Sequence, residues 1–214
     1  GMLEGGADWG AHVYIHLVDR YSKRSLEGLQ NYNPDLANPD ELFELFAQYG
    51  GEITQGYSLT KEELTKSVLG SSFSRHSRSP VGSELEDFGA AGIKTIEDIR
   101  DAWVNSFFFG SESDDRTIAA AFNDKANPLG VKINAIYSSD VGHWDVPDLT
   151  APLAESWDLV REGVISEDDF KAYVFGNPYK FYTQANADFF KGTAVESKLP
   201  KAESQIENKT LVSV

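Results

Sequence analysis

Along this chain the apolar positions fall into two rhythms, a three-to-four-residue repeat that predicts helices and two compact apolar runs that predict strands. From Ala11 onward, Tyr14, Leu17, Val18 and Tyr21 place an apolar stripe on a helix running to about Gln30. In "NPDELFELFAQYGG" Asn38 supplies a cap, Pro39 the first helical position and Glu41 the far side of a capping box, with Gly50 or Gly51 as the stop. Thr60 and Glu63 repeat the box ahead of Leu64 and Val68, which predicts a short helix ending at Gly70. Further helices are predicted from Thr95 through Trp103, near 117–124, over 152–162 and over 166–175, the last stopped by Asn177-Pro178. "PYKFYTQANADFFKG" predicts one more short, aromatic-rich helix.

The two strand-like runs are "SFFFG" at 106–110 and "VKINAIYSSD" at 131–140, the second apolar at 131, 133, 135 and 136. Strands of this kind, read as buried on both faces and alternating with helices, predict a parallel α/β sheet covered by helices. In such sheets function gathers beyond the carboxyl ends of the strands, where this sequence has Glu112 and Asp140. No repeat or linker divides the chain. The expected organisation is one domain over 1–192, with a helical insertion at 31–93 and a polar tail at 193–214. Within the insertion, 71–83 is rich in Ser, Arg and Gly, and reads as a solvated loop or as a basic anion-binding loop.

Charge removes several function classes. Nineteen Lys and Arg stand against 34 Asp and Glu in 214 residues, a net charge of -15, so nucleic acid and anionic membranes would be repelled. The absence of cysteine excludes disulfides, thiolate metal sites and a cysteine nucleophile. No apolar run reaches the ~18–20 residues of a membrane helix, and the N-terminus lacks the blocks of a signal peptide, so the expected location is the cytoplasm. Nothing matches a phosphate-binding glycine loop or a G-x-S-x-G elbow, which weakens nucleotide and serine-hydrolase readings.

What remains is a cluster. "AIYSSDVGHWDVPDLT" puts Asp140 at a strand end, then His143, Trp144, Asp145 and Asp148 close behind it. Asp140 alone would serve to cap the turn. With an imidazole and an aromatic ring in the same loop, it also suits ligation of a divalent metal and proton transfer to or from bound water. His12 and His16 share a helix face, as paired ligands or as two surface histidines; "HVYIH" lacks the glutamate of a metalloprotease helix. "EGGADWG" reads as a tight turn after Glu4.

"AIYSSDVGHWDVPD", followed by a helix and then "SEDDFKAYVFGNPYKFYT", resembles the C-terminal end of metal-dependent amidohydrolase-related proteins, the branch that includes aminocarboxymuconate-semialdehyde decarboxylase. "LEGGADWG" is similar to that family's turn after the sixth barrel strand and "SFFFGSESDD" to its seventh strand, so the likeness extends to about Gly192. The resemblance implies a partial (β/α)8 TIM barrel comprising strands six to eight with their helices. It makes Asp140 a metal ligand or catalytic acid/base. Glu4, standing where many relatives have histidine, becomes a second metal ligand or a substrate-binding group, and His143, Trp144, Glu112 and Trp9 become substrate-facing residues.

The implied cofactor is a divalent metal, zinc by expectation, and the implied substrate a small carboxylated or cyclic compound, hydrolysed or decarboxylated. Relatives supply a His-x-His pair from the first strand and a histidine from the fifth, which this sequence does not match. A whole barrel averages ~250 residues. The chain therefore resembles the C-terminal portion of a larger enzyme, expected to be inactive alone and to form a homo-oligomer or pair with a chain supplying the rest of the barrel. The alternative is a non-catalytic, barrel-derived subunit or small-molecule binding module.

Overall fold

The stripe beginning at Ala7, Ala11 and Tyr14 folds as α1, Ala7–Arg24, in the computed structural model of the protein, which describes residues 1–29, 38–53, 60–63 and 88–199. The helix stops short of the expected Gln30. Ser25 turns to extended backbone with its N–H on the Tyr21 carbonyl, and a separate turn, α2 (Leu26–Leu29), follows. α3, Pro39–Tyr49, starts as its sequence dictates, with the Asn38 side chain accepting from the Asp40 and Glu41 amides. The Thr60–Glu63 box is also formed, both Thr60 N–H and hydroxyl donating to Glu63. The rest of the helix expected there, the basic segment 71–83 and the tail beyond Leu199 lie outside the described residues, as does much of the expected insertion.

α4, Ile96–Ser106, begins at a full capping box between Thr95 and Asp98 and runs one turn longer than expected. It takes Ser106 out of the "SFFFG" run, so β1 is Phe109–Ser111. The aromatics decide this boundary: Trp103 stacks on Phe107 at 4.7 Å and on Phe109 at 5.6 Å, joining the helix end to the strand start. After β1 come a 3-10 turn at Arg116–Ile118 and the short α5, Ala119–Phe122, in place of a single helix near 117–124. Asn127 closes that turn, its amide nitrogen reaching the carbonyls of Ala120, Ala121 and Val131 at 3.1, 3.3 and 3.2 Å.

β2 is Ala135–Tyr137, much shorter than the apolar run that predicts it. Ile133 gives its N–H to the Ala121 carbonyl, and the Asn134 side chain gives its amide protons to Val104 and Phe107 carbonyls at 2.7 and 2.9 Å. Ile133 and the Asn134 side chain are thus tied to α5 and the end of α4, while the Asn134 carbonyl already accepts from Phe109 N–H of β1 at 2.9 Å. β1 and β2 pair in parallel with Phe109 opposite Ala135, Gly110 opposite Ile136 and Ser111 opposite Tyr137. On the other side of β1, Met2 forms a parallel bridge with Phe109, its N–H on Phe108 O at 2.8 Å and its carbonyl accepting from Gly110 at 2.9 Å. The order across the layer is therefore Met2, β1, β2, parallel and in chain order.

The chain closes with α6 (Pro152–Arg161), α7 (Glu167–Lys171), a π turn at Ala172–Gly176 and α8 (Asn177–Ala185). Asn177-Pro178 is not a stop. Pro178 has no N–H to give, and the π turn, with Asn177 N–H on the Ala172 carbonyl, carries the helical backbone past it. From this segment Tyr173 donates to Ser111 and Glu112 carbonyls at 2.6 and 2.8 Å, and Asn177 to the Ala135 carbonyl at 2.8 Å. Mixed α/β and mostly helical, the protein has its core where α1, α4 and α5 meet the strands, around the fully buried Phe109, Tyr14 and Tyr173. Among the described residues no helix is long and apolar enough to cross a membrane.

One buried charge ties the last helices to the β2 approach. Asp169 is 8 % exposed and receives Lys132 Nζ at 2.6 Å and the Ser166 hydroxyl at 2.6 Å. Burial by itself would raise this carboxyl, but the hydrogen bonds from Lys132 and Ser166 outweigh it and hold the group below its ordinary value. A depressed folded value gives stability that is present above the unfolded carboxylate range and lost as pH falls through the folded one. Asp169→Asn is expected to destabilise by about 1.5–3 kcal/mol at neutral pH. In urea unfolding, the gap from wild type should close below about pH 4.

Candidate metal centre

The three parallel segments end on the same side, and beyond their ends lies an open cleft of about 380 Å³. Met2 leads into Glu4, Gly5 and Gly6; β1 leads into Glu112, Asp114 and Asp115; β2 leads into Ser138 and Asp140. Five carboxylates line the cleft, with no Lys, Arg or His among its lining residues. Local chemistry fixes each loop. Gly6, at φ 74°, makes the turn before α1, whose first N–H, from Ala7, reaches the buried Ser111 hydroxyl at 2.8 Å. Gly110 lets Met2–Glu4 run alongside β1, since a Cβ there would stand 3.1 Å from Leu3 Cδ2. Asp115 caps the 3-10 turn by accepting from the Thr117 N–H at 2.8 Å, and Tyr173 holds the carbonyls of Ser111 and Glu112 from behind.

Asp140 has φ 54°, a left-handed backbone that Asp tolerates better than most residues. That conformation turns the chain so that His143 N–H reaches the Asp140 carbonyl at 3.1 Å and His143 Nδ1 stands 2.8 Å from Asp140 Oδ1. The pairing sets the imidazole against the Asp140 carboxylate through Nδ1. Asp140 is the more sheltered partner, its side chain 19 % exposed against 60 % for His143. Asp145 completes the group: Asp140, His143 and Asp145 each offer a ligand atom, all within 4.8 Å of one another.

This donor set fits a divalent cation. Ligand atoms on one zinc at about 2.0–2.1 Å stand roughly 3.3 Å apart, so modest closure of two exposed side chains brings the three to one ion. Three protein ligands leave a fourth position for water, as a catalytic zinc site requires. The carboxyl of Glu112 is raised above its ordinary value, first by desolvation and then by the negative charge of Asp140, Asp114, Asp145 and Asp115.

The residues singled out from sequence fall into three groups. Asp140, Glu4 and Glu112 share the cleft, although Glu4 stands outside the three-residue ligand group. His143 pairs with Asp140 rather than lining the cleft, and Trp144 beside it is 94 % exposed. Trp9 lies outside the cleft lining, edge-on to Phe109 at 5.9 Å. Asp145 stood in the crowded loop without an assigned ligand role, and Asp114, Asp115 and Ser138 were not singled out. The runs "HWD" and "SDD" just beyond the two strand ends carried that signal. No protein-family model, no curated protein and no solved structure matches the chain.

Proposed function

We propose that the chain carries a divalent-metal site of a metal-dependent hydrolase or decarboxylase of the amidohydrolase type. Met2, β1 and β2 then correspond to strands six, seven and eight of a (β/α)8 barrel. One observation carries the reading: parallel segments in chain order end at one acidic cleft, with an Asp–His pair at the last of them. In this reading Asp140, His143 and Asp145 hold zinc, with Glu4 as a further carboxylate on the same rim. The bound ion supplies Lewis acidity and lowers the pKa of its water. Glu112, on the same rim, would stand beside the reacting group, and Trp144 offers a free ring face to substrate.

The electrostatics constrain the substrate. Five carboxylates repel an anionic ligand, so a carboxylated substrate enters only with the cation in place, whereas a neutral cyclic one is not opposed. The flank of Met2, unpaired among the described residues and with Leu3 69 % exposed, suits self-association or a partner chain that continues the barrel. The exposure of His143 and Trp144 favours the second reading, a non-catalytic binding module, because a site open to water gains less from its electrostatics.

Turnover separates the two. Zinc-loaded protein is assayed on small cyclic amides and lactones for hydrolysis, and on small carboxylic acids for CO2 release. The enzyme reading predicts turnover that falls at least about a hundredfold in Asp140→Asn, the scale on which a lost metal centre acts. Equal turnover in Asp140→Asn contradicts it, and metal-dependent ligand binding without turnover supports the module.

A further inference from the structure

We propose a second metal site, independent of the strand-end cluster, on the outer face of α1: a two-imidazole chelate formed by His12 and His16. Four residues apart, they stand one above the other on the helix. Their rings meet edge-on with centroids 4.3 Å apart and planes at 60°. Both are exposed, because the opposite face of the helix, with Ala7, Gly10, Ala11 and Tyr14, is the one that packs into the core. Neither imidazole has a hydrogen bond or ion pair among the described residues, so the ring nitrogens are not committed to protein partners.

Two imidazole nitrogens on one ion at about 2.0–2.1 Å stand roughly 3.3 Å apart, which rotation of two exposed rings reaches from this starting contact. The chemistry selects the ion. Paired imidazoles suit Cu2+, Ni2+ and Zn2+, with Cu2+ bound most strongly, while Mg2+ and Ca2+ prefer oxygen ligands. Asp8, one turn before His12, and Asp19, three residues after His16, add negative charge to the same face. No carboxylate joins the pair in a three-ligand group among the described residues, so water completes the coordination. An ion held here also fastens adjacent turns of α1, the helix that meets the cleft through the Ala7 N–H to Ser111 bond.

The test is calorimetric titration of Ni2+ into the full chain, with far-UV circular dichroism confirming the fold of each variant. Wild type and Asp140→Asn should both bind Ni2+ at this site, whereas His12→Gln and His16→Gln each weaken it at least about tenfold by removing one of two chelating rings. Mg2+ should not compete. Absence of Ni2+ binding in wild type, wild-type affinity in both glutamine variants, or loss only in Asp140→Asn would overturn the proposal.

Discussion

Phe109→Ala should lower the unfolding free energy by about 3–5 kcal/mol, enough to leave a marginal domain largely unfolded at elevated temperature. Phe109 has no exposed surface, and three contacts converge on it. Trp103 stacks on one side at 5.6 Å, and Trp9 meets it edge-on at 5.9 Å. Gly10 of α1 presses so close that a Cβ there would stand 2.8 Å from ring carbons. Its backbone meanwhile pairs with Met2 and Ala135. Truncation leaves a cavity between α1, α4 and the strand, which those elements cannot close without breaking the parallel order. Urea unfolding checks this, and a loss under about 1 kcal/mol would mean that the site collapses freely.

The second large effect is expected at Tyr173. Fully buried, its ring sits edge-on to Tyr137 at 5.7 Å, and its hydroxyl serves both the Ser111 and Glu112 carbonyls. Burial pushes the phenol above its ordinary value, so the proton stays and the donor persists across the working pH range. Tyr173→Ala should cost about 3–5 kcal/mol through the cavity. Tyr173→Phe keeps the ring and removes one donor from each of the two carbonyls, which retain the Ser138 and Asp115 N–H groups, at about 0.5–1.5 kcal/mol. The two variants separate packing from positioning: in Tyr173→Phe, hydrogen exchange should quicken at the loop after β1 while α1 stays protected.

The sequence made the helices legible where capping chemistry was explicit. Asn38, Thr95 and Ser166 each start a helix as their side chains predict. Boundaries set by distant partners were not legible. The apolar pattern of 131–136 is that of a strand, yet the Ile133 N–H goes to Ala121 and the Asn134 side chain to Val104 and Phe107. Likewise Asn177-Pro178 has the form of a stop, and only the packing of Tyr173 and Asn177 against the strands shows why the helix continues. At the site, Asp140 was marked by its strand-end position. Its pairing with His143 depended on a left-handed backbone at a non-glycine residue, which no sequence pattern announced.

The same turn supplies a clean test of the account. Asparagine tolerates a left-handed backbone at least as well as aspartate, so Asp140→Asn keeps the turn and removes the anionic ligand. The decisive measurement is Zn2+ titration of the chain carrying His12→Gln and His16→Gln, with and without Asp140→Asn. The account predicts one zinc per chain, weakened about a hundredfold or more by Asp140→Asn, with the unfolding midpoint without metal little changed. Zinc bound equally well without the Asp140 carboxylate, or not bound at all, would contradict it.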